Sequence, residues 1–236
     1  MPNATSSPDS APELDLRNAF GKKEDRYTIR GLWINRALNR PLAGLLVRAL
    51  YRTRATPNQV TLAAFAIGLT GAYFFFRGRP WAFALGGILA QLSSIVDCAD
   101  GMLARARGQA SEYGAALDLM LDRINEYFLL AGMSVGYYFY SGRGRLLVLG
   151  LLGTALYFLE TTIFYLMNSA RGNPRKGEAA ENRGWLIFAI FVFGVTNRVD
   201  LAVLILPPIA VVAVLILVVD FCRPRSRAAY ARRPGA

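Results

Sequence analysis

Histidine is absent from the 236 residues, and cysteine occurs only at Cys98 and Cys222. These absences remove the usual parts of a zinc site and of a Ser-His or Cys-His nucleophile pair. Chemistry in this chain must run on carboxylates, lysines and arginines. Acidic residues are also scarce, 16 against 27 Lys and Arg, for a formal net charge of +11. The opening MPNATSSPDSAPELDLRNAF lacks the basic start and apolar core of a signal peptide, so no cleavage is expected. Its Ser, Pro and Asp content predicts a mobile tail over 1–28. No repeat of fixed period is evident, and no linker is long enough to separate two globular domains.

What is abundant is hydrocarbon. The chain is 54% hydrophobic, and that bulk combined with a basic excess points to a bilayer protein with cytoplasmic cations. Stretches approaching the ~20 residues of a membrane span recur at 59–76, 81–96, 113–140, 146–167, 185–196 and 201–221, the fifth being short. The expected fold is all-α: a polytopic bundle of six transmembrane helices over 57–222, preceded by an amphipathic juxtamembrane helix over 29–56 and followed by a basic tail over 223–236. Of the 27 Lys and Arg, 21 fall on one side of this topology and five on the other, with Arg123 inside a span. The positive-inside rule then places both termini in the cytoplasm, and the expected home is a prokaryotic inner membrane.

Before the first span, Leu38, Leu42, Leu45, Leu46 and Ala49 recur at helical spacing while Arg36, Arg40, Arg48 and Arg52 mark the other side. That pattern suits a helix lying among lipid headgroups, although a plain basic anchor for anionic lipid fits it equally. Pro41 is expected to break or kink it, and Thr56 with Pro57 reads as the cap and first turn of the following span. Pro207 and Pro208 predict a kink in the last span.

Against this background, DCADGMLARARGQASEYGAALDLMLD stands out, because carboxylates are costly near hydrocarbon. Asp97 and Asp100 are three apart, and Asp118 and Asp122 four apart, so in helices each pair shares a face. A hairpin turning near Gln109 would bring both pairs to one depth. Gly101, Ala104 and Gly114 lie on the same faces and predict close helix approach there. Four convergent carboxylates repel unless protons are shared or cations compensate, and two hard divalent ions would resolve the repulsion. The plain alternative is that the aspartates cap helices or pair with Arg105, Arg107 and Arg123. A cation pathway is the rival from another class, but it would spread charge along several spans rather than cluster it at one level.

The eight positions Asp97, Asp100, Gly101, Ala104, Arg105, Gly114, Asp118 and Asp122 resemble the complete signature of the CDP-alcohol phosphotransferases, with no position departing from it. The resemblance implies a metal-dependent transfer in phospholipid biosynthesis. A CDP-linked donor loses CMP as an acceptor hydroxyl attacks the phosphorus bearing the transferred group. It further implies that Asp97, Asp100, Asp118 and Asp122 hold two divalent cations, Mg²⁺ or Mn²⁺, with Asp122 also the catalytic base. Gly101, Ala104, Arg105, Gly114 and Asn58 would line the nucleotide pocket.

Members of this family differ in donor and acceptor. A phosphatidyl transfer to a small polar alcohol is the first expectation, and transfer from CDP-inositol to inositol phosphate, or of CDP-choline or CDP-ethanolamine type, are the alternatives. The segments around Asn39, Thr56 to Thr61 and Gln91 resemble the inositol-phosphate-handling branch. A phosphorylated acceptor needs further cations, for which Arg171, Arg175, Lys176 and Arg183 are the candidates, although ordinary positive-inside charge explains that loop equally. Glu160, which could pair with Arg123 or line the acceptor cavity, and Glu126 are expected to serve in structural pairing ahead of catalysis. The expected partners are the CDP-linked donor, the acceptor and membrane lipid, with no nucleic acid. Small residues around Gly86–Gly87 and Gly150–Thr154 would permit a homodimer.

Overall fold

The computed structural model describes residues 34–171 and 176–222, with side chains described at all of these except 36, 165–182, 217 and 220–222. The described residues are helical apart from short connections. Both tails, and the side chains of Arg171, Arg175 and Lys176, lie outside the described residues.

A π-helical turn over Asn35–Asn39 runs directly into α1, Arg40–Leu50. Pro41 sits in the first turn of α1, and the break expected from it takes the form of this widened turn, in which Arg40 N–H reaches back to Asn35 O. The π register accommodates a ring that cannot donate to the preceding turn. Ala43 and Val47 are fully buried and pack in a small core with Val60, Ala99, Met102 and Leu103, whereas Leu42 and Leu45 face outward. The apolar side of α1 is therefore divided between its helical neighbours and the surroundings. Leucine spacing alone suggested a single stripe.

The corner after α1 is closed by Arg107. Its Nη2 donates to the carbonyls of Leu50 (2.6 Å), Tyr51 (3.0 Å) and Thr53 (2.9 Å), and its Nη1 to Ala55 O. A cation thus satisfies carbonyls that a helix end leaves without partners. Thr56 then caps α2, Pro57–Phe76, in a reciprocal box: Gln59 N–H donates to Thr56 Oγ1, and Thr56 N–H to Gln59 Oε1.

The remaining long helices are α3 (Pro80–Ala106), α4 (Glu112–Ser141), α5 (Gly144–Arg171), α6 (Lys176–Val195) and α7 (Val199–Cys222). All six expected spans are present as helices, and among the described residues α2, α3, α5 and α7 are long and apolar enough to cross a membrane by length and composition. In α4 the acidic and basic residues of the site dilute the apolar run, and in α6 the described side chains form a shorter apolar helix over Arg183–Val195. Helices α3 and α4, 27 and 30 residues long, measure about 40 and 45 Å at the usual rise. Both exceed a hydrocarbon core of about 30 Å.

Packing is organised around α2, which lies along both α3 and α4, while α5 pairs with α7 and α3 with α6. Small residues set the crossings. Gly71 meets Gly86 between α2 and α3, Gly132 and Gly136 face the carbonyls of Ala72 and Phe75 between α2 and α4, and Gly87 meets Gly194 between α3 and α6. Gly150 touches Ser134 and Val203, and Gly153 touches Pro207. The glycines that were expected to permit dimerisation are thus covered within one chain, because close backbone approach is what binds helices where burial from water offers no drive. Helix α7 continues through Pro207 and Pro208. Phe75, Phe83, Leu129, Leu130, Met133 and Ile190 fill the main core, and Val148, Leu152, Ile209, Val212 and Leu215 point outward from α5 and α7.

Candidate active site

The turn between α3 and α4 determines what their aspartates can do. Gly108, at φ +64°, closes α3 in a left-handed cap, with Gln109 N–H on Ala104 O and Gly108 N–H on Arg105 O. Ser111 then caps α4 by accepting from Gly114 N–H at 3.0 Å. The reversal is centred at Gln109, as expected.

The two helices nevertheless do not lie face to face, since each packs on α2 instead. Gly101 and Gly114 therefore do not serve the close approach predicted for them. A Cβ at Gly101 would meet only the Arg105 side chain, and one at Gly114 only Ser111 Oγ and Asn58 Oδ1. The small residues leave an opening. A cavity of about 180 Å³ fills it, lined by Asn58, Gly101, Ala104, Arg105 and Gly114 together with Asp100 and Asp118. All five candidate nucleotide residues meet there.

A second cavity, about 640 Å³, shares the wall formed by Asp100, Gly101, Arg105 and Asp118 and extends past Asp97 and Asp122 to Arg40 and Arg183. Carboxylate oxygens of Asp97, Asp100 and Asp118 lie within 4.8 Å of one another. Asp100 Oδ2 and Asp118 Oδ1 are buried and accept no hydrogen bond, a costly state for anionic oxygens. Hard oxygen donors converging with lone pairs unused are what a divalent cation takes, so these three residues fit a metal centre.

Asp122 faces a different partner. Arg183, near the start of the apolar part of α6, donates from Nη2 to Asp122 Oδ1 and from Nη1 to Asp97 Oδ2 at 2.7 Å, while its Nε lies 3.1 Å from Glu126 Oε1. Glu126 is 1% exposed. It also takes both terminal nitrogens of Arg123, at 2.9 and 3.0 Å, and the Tyr157 hydroxyl at 3.1 Å. The pairing expected of Glu126 is thus present. Arg123 bonds to Glu126 and Tyr157, and the half-buried Glu160 lies within the influence of the Arg123 charge, as expected. Of the four loop cations, Arg183 is the one whose side chain is described, and it stands inside the carboxylate cluster.

A buried amide network whose pairings the sequence did not signal lies behind the larger cavity. Asn39 Nδ2 donates to Asn35 Oδ1 (2.8 Å) and Ser94 Oγ (3.2 Å), Gln91 Nε2 donates to Asn39 Oδ1 (2.6 Å), and Asn125 Nδ2 donates to Ser93 Oγ (3.2 Å). The resemblance around Asn39 and Gln91, and polar residues on an otherwise apolar α3 face, mark its members but not their pairing.

Over 103 residues the chain is 41% identical to the bifunctional IPC transferase and DIPP synthase of Rubrobacter xylanophilus, covering 44% of this chain and 23% of that protein. It is 29% identical over 154 residues to the archaetidylinositol phosphate synthase of Pyrococcus horikoshii, covering 63% of this chain and 73% of that one. The chain therefore spans about a quarter of the bifunctional relative and most of the archaeal synthase. The solved phosphatidylinositol phosphate synthase of Mycobacterium tuberculosis with CDP-DAG bound aligns at TM-score 0.49 and 20% identity, over 68% of this chain and 92% of that one. The sequence profile of CDP-alcohol phosphatidyltransferase matches residues 54–220, from the corner before α2 almost to the end of α7, and the chain belongs to that family.

Proposed function

We propose that the protein is an integral-membrane transferase that moves a phosphatidyl-type group from a CDP-linked lipid to a hydroxyl of a phosphorylated inositol, releasing CMP. The observation that carries this reading is the shared wall. Asp100 and Asp118 separate a small cavity, lined by every candidate nucleotide residue, from a larger one that contains Asp122. Donor and acceptor would thus meet across the metal ligands. The inositol phosphate named for the archaeal relative supports the acceptor class.

In this reading Asp97, Asp100 and Asp118, with Asp122 at their edge, hold two divalent cations, Mg²⁺ or Mn²⁺, which when bound neutralise charge on the diphosphate and the departing CMP. Asn58, Gly101, Ala104, Arg105 and Gly114 seat the cytidine nucleotide. Asp122 accepts the proton of the acceptor hydroxyl as its oxygen bonds to the lipid-bearing phosphorus and the bond from that phosphorus to CMP breaks. Arg183 aims the Asp122 carboxylate, and Glu126 holds Arg183 from behind. The site would open at the cytoplasmic face of a prokaryotic inner membrane, with both termini on that side, which reporter fusions at each terminus can check.

A second reading, transfer from CDP-inositol to inositol phosphate, is favoured by the 41% identity to a protein named a DIPP synthase. A cation pathway is disfavoured by the clustering of the carboxylates at a single level. The deciding experiment measures CMP release by purified protein with Mg²⁺ or Mn²⁺, offering CDP-diacylglycerol, CDP-inositol and CDP-ethanolamine separately against a panel of alcohols. Release with CDP-diacylglycerol and a phosphorylated inositol supports the proposal. Release with CDP-inositol alone selects the second reading, and no release from folded protein refutes both.

A further inference from the structure

Arg183 was the natural candidate for gripping the acceptor's phosphate, but its guanidinium already faces Asp97, Asp122 and Glu126. One positive charge among three negative ones offers a phosphate dianion little attraction. Arg123 is likewise engaged, by Glu126. Of the two other arginines on the wall of the larger cavity, Arg105 also lines the small cavity among the nucleotide residues, and Arg40 comes from α1. Arg40 lines that cavity together with Asp97, Asp122 and Arg183, is half-buried, and has no carboxylate partner among the described residues.

We propose that Arg40 is the anchor for the phosphate monoester of the acceptor, and so the residue by which this chain selects a phosphorylated alcohol. This deepens the reading of the site as a transferase and rests on it. A guanidinium fork matches phosphate oxygens two at a time, and a cation with no carboxylate partner among the described residues, in a partly enclosed cavity, has that capacity available.

The placement is built rather than incidental. Asn39, immediately before Arg40, is 1% exposed and is fixed by bonds to Asn35, Ser94 and Gln91. One turn later, Ala43 is fully buried in the small core that contains Met102 and Leu103. An amide lock on one side and an apolar contact on the other set both the rotation and the height of α1, and thereby the direction from which Arg40 enters. Buried amides are tolerable only when bonded, and a bonded network specifies one arrangement.

Position within the reaction agrees. In phosphoryl transfer the attacking and leaving oxygens lie roughly in line across phosphorus. The nucleotide residues line the small cavity, whereas Arg40 and Asp122 line the large one beyond the shared wall. An acceptor whose hydroxyl meets Asp122 therefore extends its remaining groups into the cavity that Arg40 borders.

The test uses the full-length protein in detergent with Mg²⁺, measuring CMP release with CDP-diacylglycerol while inositol 1-phosphate is varied. Arg40→Gln is expected to raise KM for inositol 1-phosphate by about tenfold or more, the scale of one lost charge-assisted hydrogen bond, with donor affinity within about twofold of wild type. Arg40→Lys should recover part of that loss, since it restores charge without the fork. Asn39→Ala, which frees α1 from α3, should raise the same KM while leaving Arg40 intact. Unchanged KM in Arg40→Gln, with wild type using inositol 1-phosphate, overturns the assignment of Arg40 and leaves the transferase reading standing. Wild-type transfer to unphosphorylated inositol but not to inositol 1-phosphate overturns the assignment as well. If wild type transfers to no acceptor at all, the transferase reading falls and the assignment with it.

Discussion

Arg183 Nη1 stands 2.7 Å from Asp97 Oδ2, tying α6 to α3 at the centre of the carboxylate cluster. The same guanidinium reaches Asp122 on α4. One side chain therefore sets the spacing between a metal-fitting carboxylate and the carboxylate placed to act as base, and charge removed at either end should have separable effects.

Asp122→Asn keeps shape and loses the ability to take a proton. Transfer should fall by about 10²-fold or more, on the scale of general-base catalysis, while metal-dependent binding of the CDP donor stays within a few-fold. Calorimetric donor titration beside a CMP-release assay checks this. Abolished donor binding would make Asp122 chiefly a ligand, and full activity would remove it from the chemistry.

Asp97→Asn should act in the opposite order. With one of three converging carboxylates neutralised, the Mg²⁺ or Mn²⁺ concentration that half-saturates donor binding should rise at least about tenfold, following the dependence of affinity on ligand charge. Unchanged metal dependence would take Asp97 out of the ligand set. Chelation with EDTA should abolish donor binding by wild type.

These aspartates were legible in the sequence because helical periodicity alone puts residues three and four apart on one face and a hairpin brings two such faces to one level. The close helix approach expected at Gly101 and Gly114 does not occur, for a related reason. Small residues on a helix face read the same whether they admit a second helix or a ligand, and only the position of α2 between α3 and α4 decides. The sequence places Arg183 on the same side of the bundle as the aspartates but gives it no partner, because its contacts lie 86 and 61 residues away. Asn39 and Gln91 were likewise invisible as a pair, being 52 residues apart.

Glu126 carries a stability prediction. It is buried and holds Arg123, Arg183 and the Tyr157 hydroxyl together. Removing one member of such a set takes away one of the charges that compensate Arg123 and Arg183. The breaking of a whole buried pair costs about 3 to 5 kcal/mol, an upper limit here because Arg183 keeps Asp97 and Asp122. Glu126→Ala should therefore unfold at markedly lower temperature in detergent, and Glu126→Gln should lose less because it still accepts hydrogen bonds. Equal thermal stability of Glu126→Ala and wild type would contradict a structural role for this residue.

Arg107 should separate corner geometry from chemistry. Its bonds to the carbonyls of Leu50, Tyr51, Thr53 and Ala55 hold the chain just before Asn58, which lines the small cavity. Arg107→Ala should raise KM for the CDP donor several-fold with a smaller change in kcat, because the corner loosens while the aspartates stay in place. A fall confined to kcat would refute a purely positioning role.

Two glycines supply the sharpest contrast between fold and function. A Cβ at Gly136 would collide with the Phe75 carbonyl on α2, where backbone cannot easily yield, whereas at Gly101 it would meet only the flexible Arg105 side chain at 3.3 Å. Gly136→Ala should therefore be poorly folded, seen as lost monodispersity in detergent, since prying α2 from α4 disturbs the small-residue contact that joins them. Gly101→Ala should remain monodisperse and thermally close to wild type, yet bind CDP donors at least about fivefold more weakly, because its methyl enters the cavity and presses on Arg105. Comparable folding defects in both variants would mean that Gly101 serves helix packing after all. Undiminished donor affinity in Gly101→Ala would mean that the nucleotide lies elsewhere.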